Sequence, residues 1–350
     1  MTEPPPPTRA PAVPPDRTTP DRTTPDRTTP DRTTPNRTTW LNTAERGTIL
    51  GIRIVFFMAT VLGRTPARLL VRGIALWYAL LDRPSRKASQ EWLQVIHGTP
   101  PTWRMTYGHI LRFAQTALDR IFLLTGKTSV FEVTRTGRHH LDQARDARKG
   151  AVLLGAHLGS FEAMRAGADK DDVPVNILGH FENARMVNAL FERLNPRVAA
   201  RVIHIGSESV DFIFKVQQRI EAGEFVAILG DRTGLNEKSV TVEFFGRPAR
   251  FPVGPFMLAS ILKCPVLLTF GLYREPNRYE LHCEPFAERL ELPRGKRQAM
   301  LQEHVQRFAH RLEDYCRRAP DNWFNFYDFW EQPAPALGAA PEVDPPSPAG

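Results

Sequence analysis

From residue 151 onward, short apolar runs alternate with stretches whose apolar positions recur every three or four residues. The runs at 151–156, 173–178, 201–205, 224–230, 240–245, 265–272 and 278–283 predict strands, and 160–168, 183–194, 208–222, 254–263 and 296–318 predict helices. Such alternation predicts an α/β domain with a largely parallel central sheet flanked by helices. Ligands in such sheets gather at the C-terminal ends of the strands. His157 and Asp231 each follow a predicted strand at that edge.

Upstream the pattern is helical. Ile49 to Leu62 is almost wholly apolar, interrupted by Arg53 and ended by Gly63-Arg64. As a helix its fourteen residues would reach only about 21 Å, short of a ~30 Å hydrocarbon core, so a half-inserted or interfacial helix is expected, and spanning would need help from its flanks. Between Arg64 and Asp82, the arginines at 64, 68 and 72 fall on one helical face, beside an apolar surface containing Trp77 and Tyr78. A basic ridge next to apolar surface suits an anionic membrane, although an ordinary amphipathic helix with solvated arginines has the same pattern. Helices are also expected over 92–97 and 107–125, and a short strand over 131–135. The His139-His140 pair has no companions completing a metal-ligand set and reads as surface; no metal is expected.

The two ends cannot bury a face. Pro-Asp-Arg-Thr-Thr starts at Pro15, Pro20, Pro25 and Pro30, and Pro-Asn-Arg-Thr-Thr at Pro35. This repeat over 1–39 and the Pro/Ala-rich 332–350 predict disordered or extended tails. The expected organisation is a basic helical membrane-associating region over 40–150 and an α/β core over 151–331. The N-terminus has no apolar signal-peptide core. Cys264, Cys283 and Cys316 match no zinc or disulfide spacing, which fits a reducing compartment.

Charge sharpens the division. The net formal charge is +8, yet 40–150 carries 17 Lys/Arg against 7 Asp/Glu, and 151–350 carries 23 against 26. A basic excess confined to an apolar helical region favours a membrane surface over nucleic acid.

The candidate chemistry begins with the stretch Gly155-Ala156-His157-Leu158-Gly159-Ser160-Phe161-Glu162. Gly159 permits a sharp turn and Ser160 is a good helix N-cap. His157 and Glu162 would lie roughly 140° apart on one continuous helix, but at a strand-to-helix turn they can meet. A carboxylate beside an imidazole fixes its tautomer and raises its basicity, as a general base requires. The same residues also fit a hydrogen-bonded His at a strand end and a Glu complementing a helix dipole. A second constellation is Gly230-Asp231-Arg232, followed by Phe244-Phe245-Gly246-Arg247-Pro248-Ala249-Arg250. Gly and Pro predict a shaped loop over this second stretch, and its arginines, leading into a helix N-terminus at Gly254-Pro255, suit a phosphate.

These motifs, in this order, resemble the lysophospholipid acyltransferase superfamily, whose His-x4-(Asp/Glu) motif matches His157 and Glu162. The combination with Gly230-Asp231-Arg232, the Phe245-Gly246-Arg247 stretch and Gly254-Pro255 is similar to its lipid A late-acyltransferase-like branch. Within that branch the chain looks most like predicted acyltransferases of aryl-polyene and related pigment-lipid pathways, including at Trp40 to Arg46 and at Pro320 to Trp330. It departs from the glycerolipid members: Ala156 precedes the His, the acid is Glu, and the Glu-Gly-Thr-Arg substrate motif is absent. A lipid A-like or pigment-lipid acceptor is therefore favoured over glycerol 3-phosphate.

The resemblance implies transfer of an acyl group from an acyl carrier protein or coenzyme A thioester to a hydroxyl of a membrane-associated lipid, without a metal or other cofactor. On that reading His157 removes the hydroxyl proton and Glu162 orients it. Backbone N–H groups at the start of helix 160–168 hold the oxyanion. Gly159, Ser160, Asp231, Phe245 and Gly246 contribute to the substrate site, and Arg232, Arg247 and Arg250 hold phosphate. The expected location is peripheral or shallowly inserted, on the cytoplasmic face of a bacterial inner membrane. The rival readings are a non-catalytic basic lipid-binding protein and a lipid hydrolase, the latter lacking the Gly-x-Ser-x-Gly elbow.

Overall fold

The computed structural model describes residues 49–169, 173–179, 201–205, 211–233 and 237–330. The two tails, the opening stretch 40–46 and the helix expected at 183–194 lie outside the described residues.

Seven strands form the central sheet: β1 (Glu132–Thr136), β2 (Ala151–Gly155), β3 (Val175–Gly179), β4 (Val202–His204), β5 (Phe225–Leu229), β8 (Val266–Arg274) and β9 (Arg278–Ala287), in the order β1-β9-β8-β2-β5-β3-β4. Neighbours pair in parallel except for the antiparallel β8–β9 hairpin, so β1 and β9 run against the other five. The α/β class with a mostly parallel sheet is thus as expected.

The central strands are apolar throughout because both faces are covered. Alternation still sorts their side chains. Val152, Leu154, Val226 and Ile228 join one core cluster with Val305 and Phe308. Those two belong to the long helix Arg297–Arg318. Ala151, Leu153, Phe225 and Ala227 face the other way, toward Leu141, Ala144, Phe161 and Ala168. These four lie on the helices Arg138–Asp146 and Phe161–Asp169.

The strand expected at 240–245 is β6 (Ser239–Phe244), but the shaped loop expected after it is instead a second strand, β7 (Arg247–Pro252), and the two pair as a separate two-stranded sheet. Gly and Pro concealed a tight hairpin. Phe245 and Gly246 form its two-residue tip, both at positive φ (52° and 71°), the conformation a mirror-image turn requires. Pro248 is tolerated because β7 pairs on one side only. The long helix caps this hairpin with side chains. Gln306 exchanges two 2.8 Å bonds with the Glu243 backbone, and the Phe245 N–H donates to Glu313 Oε1 at 2.6 Å.

Four helices precede the sheet: α1 (Ile49–Phe57), which runs into a π-helical turn at Met58–Leu62, α2 (Arg64–Leu81), α3 (Arg83–His97) and α4 (Trp103–Leu124). Among the described residues no helix is long and apolar enough to cross a membrane. The arginine ridge on α2 faces the protein over two of its three positions. Arg64 makes a paired contact with Asp119 of α4, at 2.8 Å to each carboxylate oxygen. Arg68 is buried, donating to the Tyr273 hydroxyl at 2.6 Å and to Glu275 at 2.5 Å. The opposite face is apolar and exposed, through Leu69, Leu76, Trp77, Leu80 and Leu81. The periodicity placed the arginines on one face correctly. Buried acceptors on α4 (Asp119) and β8 (Tyr273), with Glu275 in the β8–β9 turn, drew that face inward.

Candidate active site

The register of two adjacent strands creates the site. Gly155 of β2 lies opposite Leu229 of β5, so the residues two places on, His157 and Asp231, emerge side by side at the sheet edge. The imidazole Nδ1 and Asp231 Oδ1 are 2.8 Å apart. The His157 backbone N–H also donates to the same carboxylate, at 3.1 and 3.0 Å. An ionised carboxylate only accepts, so Nδ1 carries the proton and the lone pair lies on Nε2. The His157 side chain is 29 % exposed and that of Asp231 wholly buried.

Two more donors reach Asp231 from a segment after the long helix, Pro320 to Trp330. Trp323 Nε1 donates to Oδ2 at 3.2 Å and Asn325 Nδ2 at 3.1 Å. Burial alone would raise the carboxyl, but His157, Arg232 and Asn325 outweigh it and hold it at about 2. His157 is moved below its ordinary value by burial and then by the Arg232 charge, against the opposing pull of Asp231 and Glu162. A neutral imidazole oriented by a permanently ionised carboxylate is equipped to take a proton at neutral pH.

The turn after His157 is fixed by close approach. Gly159 sits at φ +73°, where an added Cβ would lie 2.0 Å from the Gly271 carbonyl oxygen of β8. Ser160 caps the following helix, its Oγ accepting from the Ala163 N–H at 3.1 Å, while its own N–H donates to Gly271. It is buried at 2 % exposure, so the serine a hydrolase reading would use serves as a cap. Glu162 stands in the first helical turn and pairs with Arg120 of α4 at 2.5 Å. It acts on His157 through its charge, while Asp231 occupies Nδ1.

The other expected site residues divide. Arg232 lies beside the pair, donating through Nε to Asn325 Oδ1 at 2.6 Å and through Nη2 to the Phe324 carbonyl at 2.8 Å. Arg250 bonds Ser239 across the small hairpin. Arg247 lies over the Trp330 ring, and Phe245 at the tip packs on Trp92 with ring centroids 5.3 Å apart. Trp92 in turn packs on Trp323, at 4.5 Å. The hairpin tip therefore reaches Asp231 through a layer of aromatic rings. Trp323, Asn325 and Arg120 are the residues the sequence reading missed. An Asn set within an aromatic run was the available signal, since a lone amide in such surroundings needs partners.

Residues 39–332 match the family model of the bacterial lipid A biosynthesis acyltransferases, across most of the chain. The chain belongs to that family. No curated protein sequence matches it. Family membership makes the protein an acyltransferase of lipid biosynthesis working on lipid A-like substrates. As an acyltransferase it has an acyl donor and a lipid acceptor as partners.

Proposed function

We propose that this acyltransferase moves an acyl group from an acyl carrier protein or coenzyme A thioester to a hydroxyl of a membrane-held lipid or glycolipid, with His157 as the base. The observation that carries this reading is the Nδ1 contact to Asp231, which leaves Nε2 to meet the acceptor. Nε2 takes the hydroxyl proton as the oxygen attacks the thioester carbonyl. The tetrahedral oxyanion collapses with cleavage of the C–S bond, and the imidazolium returns its proton to the thiolate. A thioester is already activated, so the sequence needs no covalent enzyme intermediate and no added cofactor.

The charges divide the work. Asp231 orients the ring and Glu162 adds negative potential as the imidazolium forms. At the start of a helix the first N–H groups have no intrahelical acceptor. Ala163 uses the Ser160 cap, leaving the Phe161 and Glu162 N–H groups for the oxyanion. Arg247 at the hairpin tip is the exposed cation best placed to receive an acceptor phosphate. Membrane contact is assigned to the exposed apolar face of α2 and to Phe57, Val61 and Leu62 just before it, with Arg53 and Arg72 as the exposed cations beside them. Thioester donors are made in the cytoplasm, which supports a working position on the cytoplasmic side of the inner membrane.

Purified protein in mixed micelles, supplied with a dodecanoyl thioester and extracted bacterial lipids, tests the reading. His157→Ala should lower turnover on the order of 10²–10⁴-fold while circular dichroism stays unchanged. Near-normal transfer by that folded variant would leave a lipid-binding protein with an acyltransferase fold.

A further inference from the structure

We propose that Asn325 is a positioning residue of the acyl-transfer centre, its one amide holding Asp231 for His157 at one end and the Arg232 guanidinium at the other. The inference rests on the reading of His157 and Asp231 as the working pair, and deepens it.

Asn325 is 1 % exposed and lies between Phe324 and Phe326, in a segment that is otherwise largely aromatic. Packing alone would be served there by another apolar side chain. Its amide makes two bonds of opposite sense. Nδ2 donates to Asp231 Oδ2 at 3.1 Å, and Oδ1 accepts from Arg232 Nε at 2.6 Å. A guanidinium can only donate and an ionised carboxylate can only accept, so just one orientation of the amide satisfies both.

That arrangement answers a problem set by the sequence. Asp231 and Arg232 are adjacent and opposite in charge, and attraction between them strengthens as water is excluded. A guanidinium laid across the carboxylate would compete with His157 for it. Asn325 gives Arg232 Nε another acceptor, and the Phe324 carbonyl takes Nη2. On the carboxylate, Asn325 and Trp323 both occupy Oδ2, which leaves Oδ1 directed at Nδ1 of His157. The same segment binds the His157 loop directly, since the Phe324 N–H donates to the His157 carbonyl and the Gly159 N–H to that of Asn322. The charged groups around the imidazole are Asp231 and Arg232 after β5, Glu162 in the helix that follows β2, and Arg120 of α4 behind Glu162. The segment supplies a neutral amide to this group, so a carboxylate there would change its charge.

Asn325→Asp keeps the acceptor for Arg232, removes the donor to Asp231 and adds a negative charge. Asn325→Ser removes the reach without the charge. Both are read in the full-length protein by ¹⁵N-histidine spectra, with the His157 signals assigned by their loss in His157→Ala. In Asn325→Asp the His157 titration should move upward by about half a pH unit or more. In Asn325→Ser the Nδ1 proton resonance should broaden or exchange at least several-fold faster, and turnover should fall about tenfold with little change in KM. A merely structural role would lower thermal stability and leave His157 untouched. Folded Asn325→Asp and Asn325→Ser with wild-type His157 signals would overturn the inference. If the signals move as expected but His157→Ala still transfers acyl groups normally, the positioning stands and the acyl-transfer reading fails.

Discussion

The helical layer over 49–124 and the sheet edge around His157 handle charge in opposite ways. On α2 the arginines turn inward to Asp119, Tyr273 and Glu275, and the leucines turn out. At the sheet edge a buried carboxylate collects four N–H donors, and the imidazole it orients is left partly open to solvent. Ionic contacts in the first region fasten a helix whose apolar face needs another environment. In the second they fix the orientation of an imidazole. A charged stripe in a sequence therefore reports that a face is polar, and its partners decide whether that face meets water.

The largest expected effect separates the two carboxylates near His157. Asp231→Asn presents an amide where a carboxylate fixed the tautomer, and turnover should fall on the order of 10³–10⁴-fold, as tautomer loss does in other His–Asp pairs. Glu162→Gln removes a more distant charge already paired to Arg120 and should lower turnover roughly tenfold. Equal losses in the two variants would give Glu162 the orienting role and reverse the assignment.

Next comes the inward ridge. Arg64→Met strands the wholly buried Asp119 carboxylate and should destabilise the fold by about 3–5 kcal/mol in chemical denaturation. A variant of unchanged stability with weakened vesicle binding would show that this arginine faces lipid.

The helical layer also contains a neutral histidine, and it supplies a pH test. His109 of α4 is fully buried between Ser89 and the Trp323 carbonyl, and burial holds it down to about 4. Its folded value lies below the ordinary 6.5, so the unfolded chain takes up the proton first. Its contribution is complete above pH 6.5 and is lost progressively as the pH falls toward 4, amounting to about 3 kcal/mol. His109→Gln should flatten stability across that window, as urea titrations at pH 7 and pH 4.5 would reveal. An equally steep decline in the variant would assign the acid sensitivity to other groups.

The smallest effect concerns the outward face. Leu76→Gln, Trp77→Gln and Leu80→Gln together should reduce partition onto anionic vesicles at least about tenfold and leave folding stability within about 0.5 kcal/mol. Unchanged partition would move membrane contact to another surface.

Much of the sheet was legible because its signals are local. Apolar runs of strand length bounded by Gly and Pro mark β2, β5 and β8 to within a residue or two. His157 and Ser160 were legible for the same reason, as a polar residue after a buried strand and a cap before a helix. Three features were not. The turn to β7 was hidden because Phe245 occupies a positive φ position usually given to Gly, Asn or Asp. The inward turn of Arg64 and Arg68 depends on acceptors up to 212 positions away. The Asp231–His157 contact spans 74 positions and required the strand register, which periodicity does not supply.

The segment around Asn325 also has a consequence for the order of synthesis. Asp231 leaves the ribosome 92 and 94 residues ahead of the two side chains that occupy its Oδ2. At about 5–20 residues per second that interval is roughly 5–20 s. Through it, the nascent chain holds the helices assigned to the membrane and most of the sheet, while its central carboxylate still lacks two of its donors. On the proposed reading, the apolar helices can reach a bilayer before Asp231 has the full set of donors that holds it against His157.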